Sequence, residues 1–515
     1  MTELRCQYVD AAPTIRRIID QTTRHMPRVL IDVTSGRLYS KKQQAAAFEA
    51  LPIFNELVSS MTTELDYARI WRTVKEFYRY VMLSHTWEDD EPLLQKVEDI
   101  SIYKLEESPA NLKLQRFCSL ARSLGFQWAW SDTCCVDKVN NVVLQESLVA
   151  MFTWYRGSSL TTVYLRGVSS ESQLPGGLKR SIWNTRGWTY QEYVAAETVQ
   201  FYTEDWKPYL GLDMFNHKES PIIISEMEQV SGISAQDLAV LRPGLERVRE
   251  KLFLASMRQT ALTEDIAYAL LGIFNVSIPV IYGEGDRAVG RLLEHILTGS
   301  GDVTVLAWTG RAGSYNSCLP VDLTVYNQLV PPHVPQPIKA DEMGNMTITM
   351  YSSLADLSLA VLLYDHLNKL PSPSLAASRL RLSGIVFSIT QLDVTSESGS
   401  ETDLHAYRAT TSTLGEVEIQ TMDDLSGMQD LIFIHPWISP LLDQEFVHGA
   451  STLDDSTRAL RLVARLGQPF GALLLASLSR VQYRRVATDC FIEVRVREGT
   501  SLTELMDGIR TIDVQ

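Results

Sequence analysis

Between residues 80 and 203, short apolar segments alternate with stretches of helical periodicity, and this alternation constrains the fold more than any other feature of the chain. Tyr80 to Leu83 reads as a buried strand. Leu114, Phe117, Ala121 and Leu124 then recur at helical spacing before Gly125 ends that helix. Phe126 to Trp130 is a second strand, and Leu144, Leu148, Met151, Phe152 and Tyr155 form one face of a second helix. Thr161 to Leu165, rich in β-branched residues, is a third strand; Trp183 to Ala196 is largely helical; Thr198 to Tyr202 is a fourth strand. Strands and helices in strict alternation predict a parallel sheet with helices on both faces, an α/β domain. In such sheets ligands sit beyond the carboxyl ends of the strands.

The flanks read differently. Residues 1–75 are a polar lead-in with helical pieces at Gln43 to Leu57 and Glu64 to Phe77. The α/β domain is expected over 76–225, and a helical segment over 226–300. There Thr263-Glu-Asp265 is expected to cap a helix bearing Ala267, Leu270, Leu271 and Phe274. Gly283-Glu-Gly285 introduces a further helix. From 301 to 515 short alternating runs predict a C-terminal β-rich domain, a sandwich being one arrangement. The expected strands include Val303 to Trp308, Met346 to Tyr351, Leu380 to Ile389, Leu431 to His435 and Val481 to Val496. Pro320, Pro331, Pro332, Pro335 and Pro337 mark turns or a linker within it.

A formal charge of −15 makes nucleic acid and anionic membrane surfaces unexpected partners. The amino terminus has no apolar stretch of signal-peptide type, and the run from Phe470 to Leu478 is too short to cross a bilayer. Six scattered cysteines form neither a disulfide framework nor a zinc pattern. A soluble, cytoplasmic protein with reduced thiols and no metal is the expectation.

Candidate chemistry gathers at the strand ends. Trp188 and Glu192 stand four apart on a predicted helix and share a face. A carboxylate beside an indole is partly desolvated, which raises its pKa and suits it to proton transfer or to facing a developing cation. The alternative is a core tryptophan with a rim glutamate bonded to a backbone N–H or an arginine. His85, at a strand end between Ser84 and Trp87, is suited to binding or proton transfer, and equally to capping backbone groups. Asp132 and Asp137 bracket Cys134 and Cys135. The thiols invite a nucleophile with His85 as base, but nothing in the sequence indicates a depressed thiol pKa. Gly283-Glu-Gly285 lacks the Lys-Ser/Thr of a phosphate loop.

At these same residues the chain resembles fungal heterokaryon-incompatibility (HET) domain proteins. Tyr80-Val-Met-Leu-Ser-His-Thr-Trp87 resembles the family's opening Y-x-x-L-S-H-x-W, and Trp130-Ser-Asp-Thr-Cys-Cys-Val-Asp-Lys138 its W-I-D-T-C-C-I-D-K. Glu146 to Tyr155 and Arg186-Gly-Trp-Thr-Tyr-Gln-Glu192 are similar to the two motifs that follow. Arg258 to Phe274 and Ile281-Tyr-Gly-Glu-Gly285 look like the tail of mushroom-type (basidiomycete) members. Departures are Ser131, Val136, Leu148, Tyr190 and Leu262, with Asn184-Thr185 short of the usual aromatic run. The likeness covers about residues 78 to 310.

HET domains are in turn similar to TIR domains, which have a flavodoxin-like sheet, and several TIR domains cleave NAD through the glutamate of a W-x-x-x-E helix. The resemblance therefore implies a flavodoxin-like, TIR-like core with Glu192 catalytic. Ser84, His85, Trp87, Asp132, Arg186 and Trp188 would bind the substrate, NAD or a related nucleotide, with no further cofactor. It implies an effector of cell-death signalling, active as a homo-oligomer and responding to a non-self partner. A non-enzymatic interaction module and a cysteine hydrolase using Cys134 or Cys135 are the rival expectations.

Overall fold

A computed structural model describes residues 10–61, 64–170, 175–328, 354–396, 404–437, 455–479 and 482–515. Six strands form the first sheet: β1 (Val29–Asp32), β2 (Arg37–Ser40), β3 (Tyr80–Ser84), β4 (Trp128–Trp130), β5 (Leu160–Leu165) and β6 (Val199–Thr203). Their order is β2-β1-β4-β3-β5-β6. The last four strands are parallel, as predicted, and every residue of them is buried. Burial on both faces is why they read as unbroken apolar runs rather than alternating ones.

The chain enters β4 after β3 and then crosses back over β3 to β5, so β3 and β5 lie at a topological switch point. The crossovers carry the helices Pro109–Ser123, Asn141–Gly157 and Gly187–Ala195. The second and third pack together. Right-handed crossovers running in opposite directions from β3 put the first on the other face.

The β1–β2 hairpin was not anticipated. It extends the sheet on the β4 side by antiparallel pairing, Ile31 opposite Ala129. The helix expected over Gln43 to Leu57 is two, Lys41–Glu49 and Pro52–Ser60, because Pro52 cannot continue the first and starts the second. The helix expected around Ala267 is likewise broken into Asp265–Tyr268 and Leu271–Phe274, and its N-cap is Glu264 with no side-chain cap bond, so Thr263 does not cap it.

Two compact units divide the chain: residues 1–243 with 258–280, and 244–257 with 281–515. In the second, nine strands join one sheet among the described residues. Its spine is the long strand Arg379–Ser396, flanked antiparallel by Ile432–Pro436 and Ile509–Val514. The expected strands at 380–389 and 431–435 are thus present, in one sheet rather than a sandwich. The helices Leu354–Asn368 and Asp455–Leu466 pack Leu363, Leu367, Leu462 and Leu466 against Phe387, Phe433 and Leu474. Val303–Leu306, expected as a strand, is a 3-10 turn whose Asp302 side chain accepts from the Thr304 N–H. Met346 to Tyr351 lies outside the described residues. No helix among those described is long and apolar enough to cross a membrane.

Candidate site at the carboxyl ends of the parallel strands

β3 is apolar through Leu83 and then becomes polar, which places Ser84, His85 and Thr86 at its carboxyl end, all buried. Ser84 Oγ donates to Glu192 Oε2 at 2.5 Å and accepts from the Trp183 indole N–H at 2.8 Å. Glu192 comes from the helix after β5 and is 6% exposed. The Tyr155 hydroxyl, which donates to the Leu83 carbonyl at 2.9 Å, also lies against this carboxyl. Burial pushes Glu192 up to about 8; Asp132 adds to the shift, while Ser84, Tyr155 and Arg258 oppose it. At neutral pH this is largely a neutral acid held in a hydrogen-bonded chain.

Beside it lies a second, more open group. Asp132, just past β4, accepts from His85 Nε2 at 3.0 Å and from the Trp87 indole N–H at 2.8 Å. The Lys138 ammonium sits 3.7 Å from the same carboxylate and 3.3 Å from the centre of the Trp87 ring. Burial alone would raise the Asp132 pKa, but Lys138, His85 and Trp87 outweigh it and hold the carboxyl below its usual range. The side chain of Asp132 keeps 23% of its surface exposed and Trp87 is 45% exposed, so these residues form the solvent-facing part of the site. The second nitrogen of His85 faces Glu91 at 3.8 Å without a hydrogen bond. Glu91 pairs with the buried Lys113 ammonium, which also reaches Glu88 at 3.4 Å and the Thr86 carbonyl at 3.3 Å. That pairing fixes the acidic loop after β3.

Of the seven residues predicted for the site, five are therefore joined: Ser84 to Glu192, and His85 and Trp87 to Asp132. Arg186 and Trp188 are not joined to them by a side-chain hydrogen bond, ion pair or ring contact among the described residues. Arg186 is the residue preceding the 187–195 helix, and its carbonyl accepts from Thr189 and Arg258. Trp183, Tyr155, Lys138, Lys113 and Arg258 were not singled out as site residues from sequence. Tyr155 and Lys138 end motifs quoted above, so position within a motif was the available signal. Arg258 opens another of them; Lys113 carried no such signal.

Cys134 and Cys135 are buried, with sulfurs 4.0 Å apart, and burial and the neighbouring Cys135 push the Cys134 thiol well up. Neither thiol is hydrogen-bonded to His85, whose Nε2 is bonded to Asp132, so among the described residues no nucleophile–base pair is formed. Among the described residues, no three His, Cys, Asp or Glu side chains are grouped to hold a metal ion. A groove lined by Leu51, Phe77, Arg79, Phe126 and Gln127 lies at the amino ends of β3 and β4, the opposite edge of the sheet.

Residues 80–179 match the family model described as heterokaryon incompatibility protein (HET). The chain is 36% identical over 234 residues to "Vegetative incompatibility protein HET-E-1" of Podospora anserina. That match covers 42% of this chain and 16% of the relative, so the chain spans about a sixth of that protein's length. No solved structure matches.

Proposed function

We propose that this chain acts in heterokaryon-incompatibility signalling through its HET domain, and that the domain is a TIR-like hydrolase of NAD or a related nucleotide with Glu192 as the catalytic carboxyl. The observation that carries the reading is the Ser84–Glu192 bond. It brings an acid from the crossover after β5 to the carboxyl end of β3, at the switch point where open α/β sheets take their ligands. The strand order of the parallel core, second-first-third-fourth, supports the flavodoxin-like part of the reading.

The chemistry asks little of the protein. Water adds to the ribose C1′, the bond from C1′ to the pyridinium nitrogen breaks, and nicotinamide leaves with the bonding pair as a neutral molecule. One proton is released. The transition state is an oxocarbenium-like ribosyl cation, which a carboxylate beside the ring stabilises. Glu192 rests as a neutral acid; the positive charge of the bound pyridinium and of the ribosyl centre favours its ionised form. Asp132, with both oxygens already fixed by His85 and Trp87, orients ribose hydroxyls. Trp87 offers an exposed indole for stacking. In the resting arrangement the Glu192 carboxyl is buried, so turnover requires it to be uncovered, and self-association into an oligomer supplies that step.

A second reading rests on the same burial. Glu192 spends its bonds inside the domain, as it would if the cluster only held the fold together and the HET domain recruited partners without catalysis. Incubating the purified chain with NAD and following nicotinamide release separates the two. Release abolished by Glu192→Ala and retained in Cys135→Ala is the expected outcome. Release unchanged by Glu192→Ala would remove the catalytic assignment. An inert wild-type chain that still binds its partners leaves the interaction module.

A further inference from the structure

We infer that Arg258 is the positioning residue of the candidate site, fixing the start of the 187–195 helix so that Glu192 meets Ser84. The inference rests on the function proposed above for its catalytic consequence, and on geometry alone for the rest.

Arg258 lies 66 positions beyond Glu192 in the sequence, yet its guanidinium is spent on the approach to that helix. Nη1 donates to the Arg186 carbonyl at 3.1 Å and to the Thr189 hydroxyl at 3.2 Å, and Nη2 reaches the Asn184 side-chain oxygen at 3.4 Å. The cation also lies 4.9 Å from the centre of the Tyr190 ring. The backbone repeats the grip. Gly187 N–H donates to the Gln259 carbonyl at 2.8 Å, and Gln259 N–H donates to the Thr185 carbonyl at 2.7 Å. Every acceptor of Arg258 is thus in the turn that starts the Glu192 helix, and none is a carboxylate.

A guanidinium this desolvated, with only neutral acceptors, is an uncompensated charge. Burial lowers its pKa to about 10, and the ring of Tyr190 and the carboxyl of Glu192 oppose that shift. The groups facing Glu192 are Ser84 from β3, Tyr155 from the 141–157 helix, Asp132 from the loop after β4, and Arg258. Arg258 is the only cation among them. A fork that clamps a helix start by three donors, and at the same time biases an acid one turn further along, is a positioning group rather than surface decoration.

The test uses the full chain and four variants: Arg258→Met, Arg258→Lys, Glu192→Gln and the Met/Gln double substitution. Thermal unfolding from pH 5 to 9 gives, by difference from Glu192→Gln, the pH range over which Glu192 changes protonation in the fold. Arg258→Met moves that range up by about one unit; Arg258→Lys, which keeps the charge, leaves it in place. The double variant has no such range. A melting temperature lowered equally at all pH values in Arg258→Met means a purely structural role and overturns the inference. If the Met variant does not fold, Arg258→Gln, which keeps donors without charge, takes its place with the same two outcomes. Where the wild type releases nicotinamide, Arg258→Met lowers kcat at least tenfold with KM unchanged. Where it releases none, the hydrolase reading falls while the pH comparison still decides the role of Arg258.

Discussion

At the scale of single residues, the decisive group is an acid that the fold keeps protonated. Glu192 has a folded pKa of about 8 against an ordinary 4.5. Between those values the folded state holds a proton that the unfolded chain has released, so stability falls as pH rises through the window and is steady, as far as this group is concerned, on either side. The slope is about 1.4 kcal/mol per pH unit. Glu192→Gln removes it, because the amide oxygen still accepts from Ser84 while no charge forms. Chemical denaturation is therefore expected to find the variant level with wild type near pH 5 and more stable near pH 8; parallel curves would show that the carboxyl ionises freely in the fold. Sequence singled out Glu192 by an indole one helical turn earlier, although Trp188 is not joined to it among the described residues. The depth of the acid was not legible in sequence. Glu192 is buried in a network of Ser84, Tyr155 and, through Ser84, Trp183, which lie 9 to 108 positions away in the chain, and sequence spacing carries no information about such contacts.

The elements record how closely the segments around the site approach one another. Gly187 opens the helix that carries Glu192, and a β-carbon there would meet the Thr260 methyl at 2.4 Å. Gly187→Ala is expected to cost about 1–3 kcal/mol. Thr260→Ser, which deletes that methyl, recovers most of the loss; a double variant no more stable than Gly187→Ala alone would place the cost elsewhere, as read by denaturant melts. Gly272 approaches Phe152 as closely, joining the 271–274 turn to the 141–157 helix. The parallel strands could be read from sequence because burial on both faces leaves uninterrupted apolar runs. The β1–β2 hairpin could not, because Arg37-Leu-Tyr-Ser40 is largely exposed on the sheet edge and resembles the polar segments around it. Val303-Thr-Val-Leu306 misled in the other direction: its β-branched composition suits a strand, but Asp302 accepts from the Thr304 N–H and turns the chain at once.

For the whole molecule, the path of the chain between its two units matters more than the order of domains along it. The units exchange the chain three times, after residues 243, 257 and 280. The 258–280 return gives the first unit Arg258, the paired backbone of Gln259, and buried side chains that include Tyr268, Leu271 and Phe274. The 244–257 excursion does the converse. Its helix Val248–Ser256 carries Arg249, whose Nε and Nη1 donate to the carbonyls of Gln328, Thr304 and Ala307 within the second unit. A fragment ending at 243 thus lacks the clamp on the Glu192 helix and a set of buried apolar residues that includes Leu271 and Phe274, large side chains worth about 1.5–3 kcal/mol each when fully buried. A fragment ending at 280 retains both, and leaves only the 248–256 helix without its carbonyl acceptors. Residues 1–280 are expected to unfold in one cooperative transition and to resist limited proteolysis up to about residue 243. Residues 1–243 are expected to show a broad, low-temperature transition with early cleavage in the 182–195 stretch. Equal melting of the two fragments would mean that the 258–280 return adds nothing to the site, and Arg258 would lose its place in it.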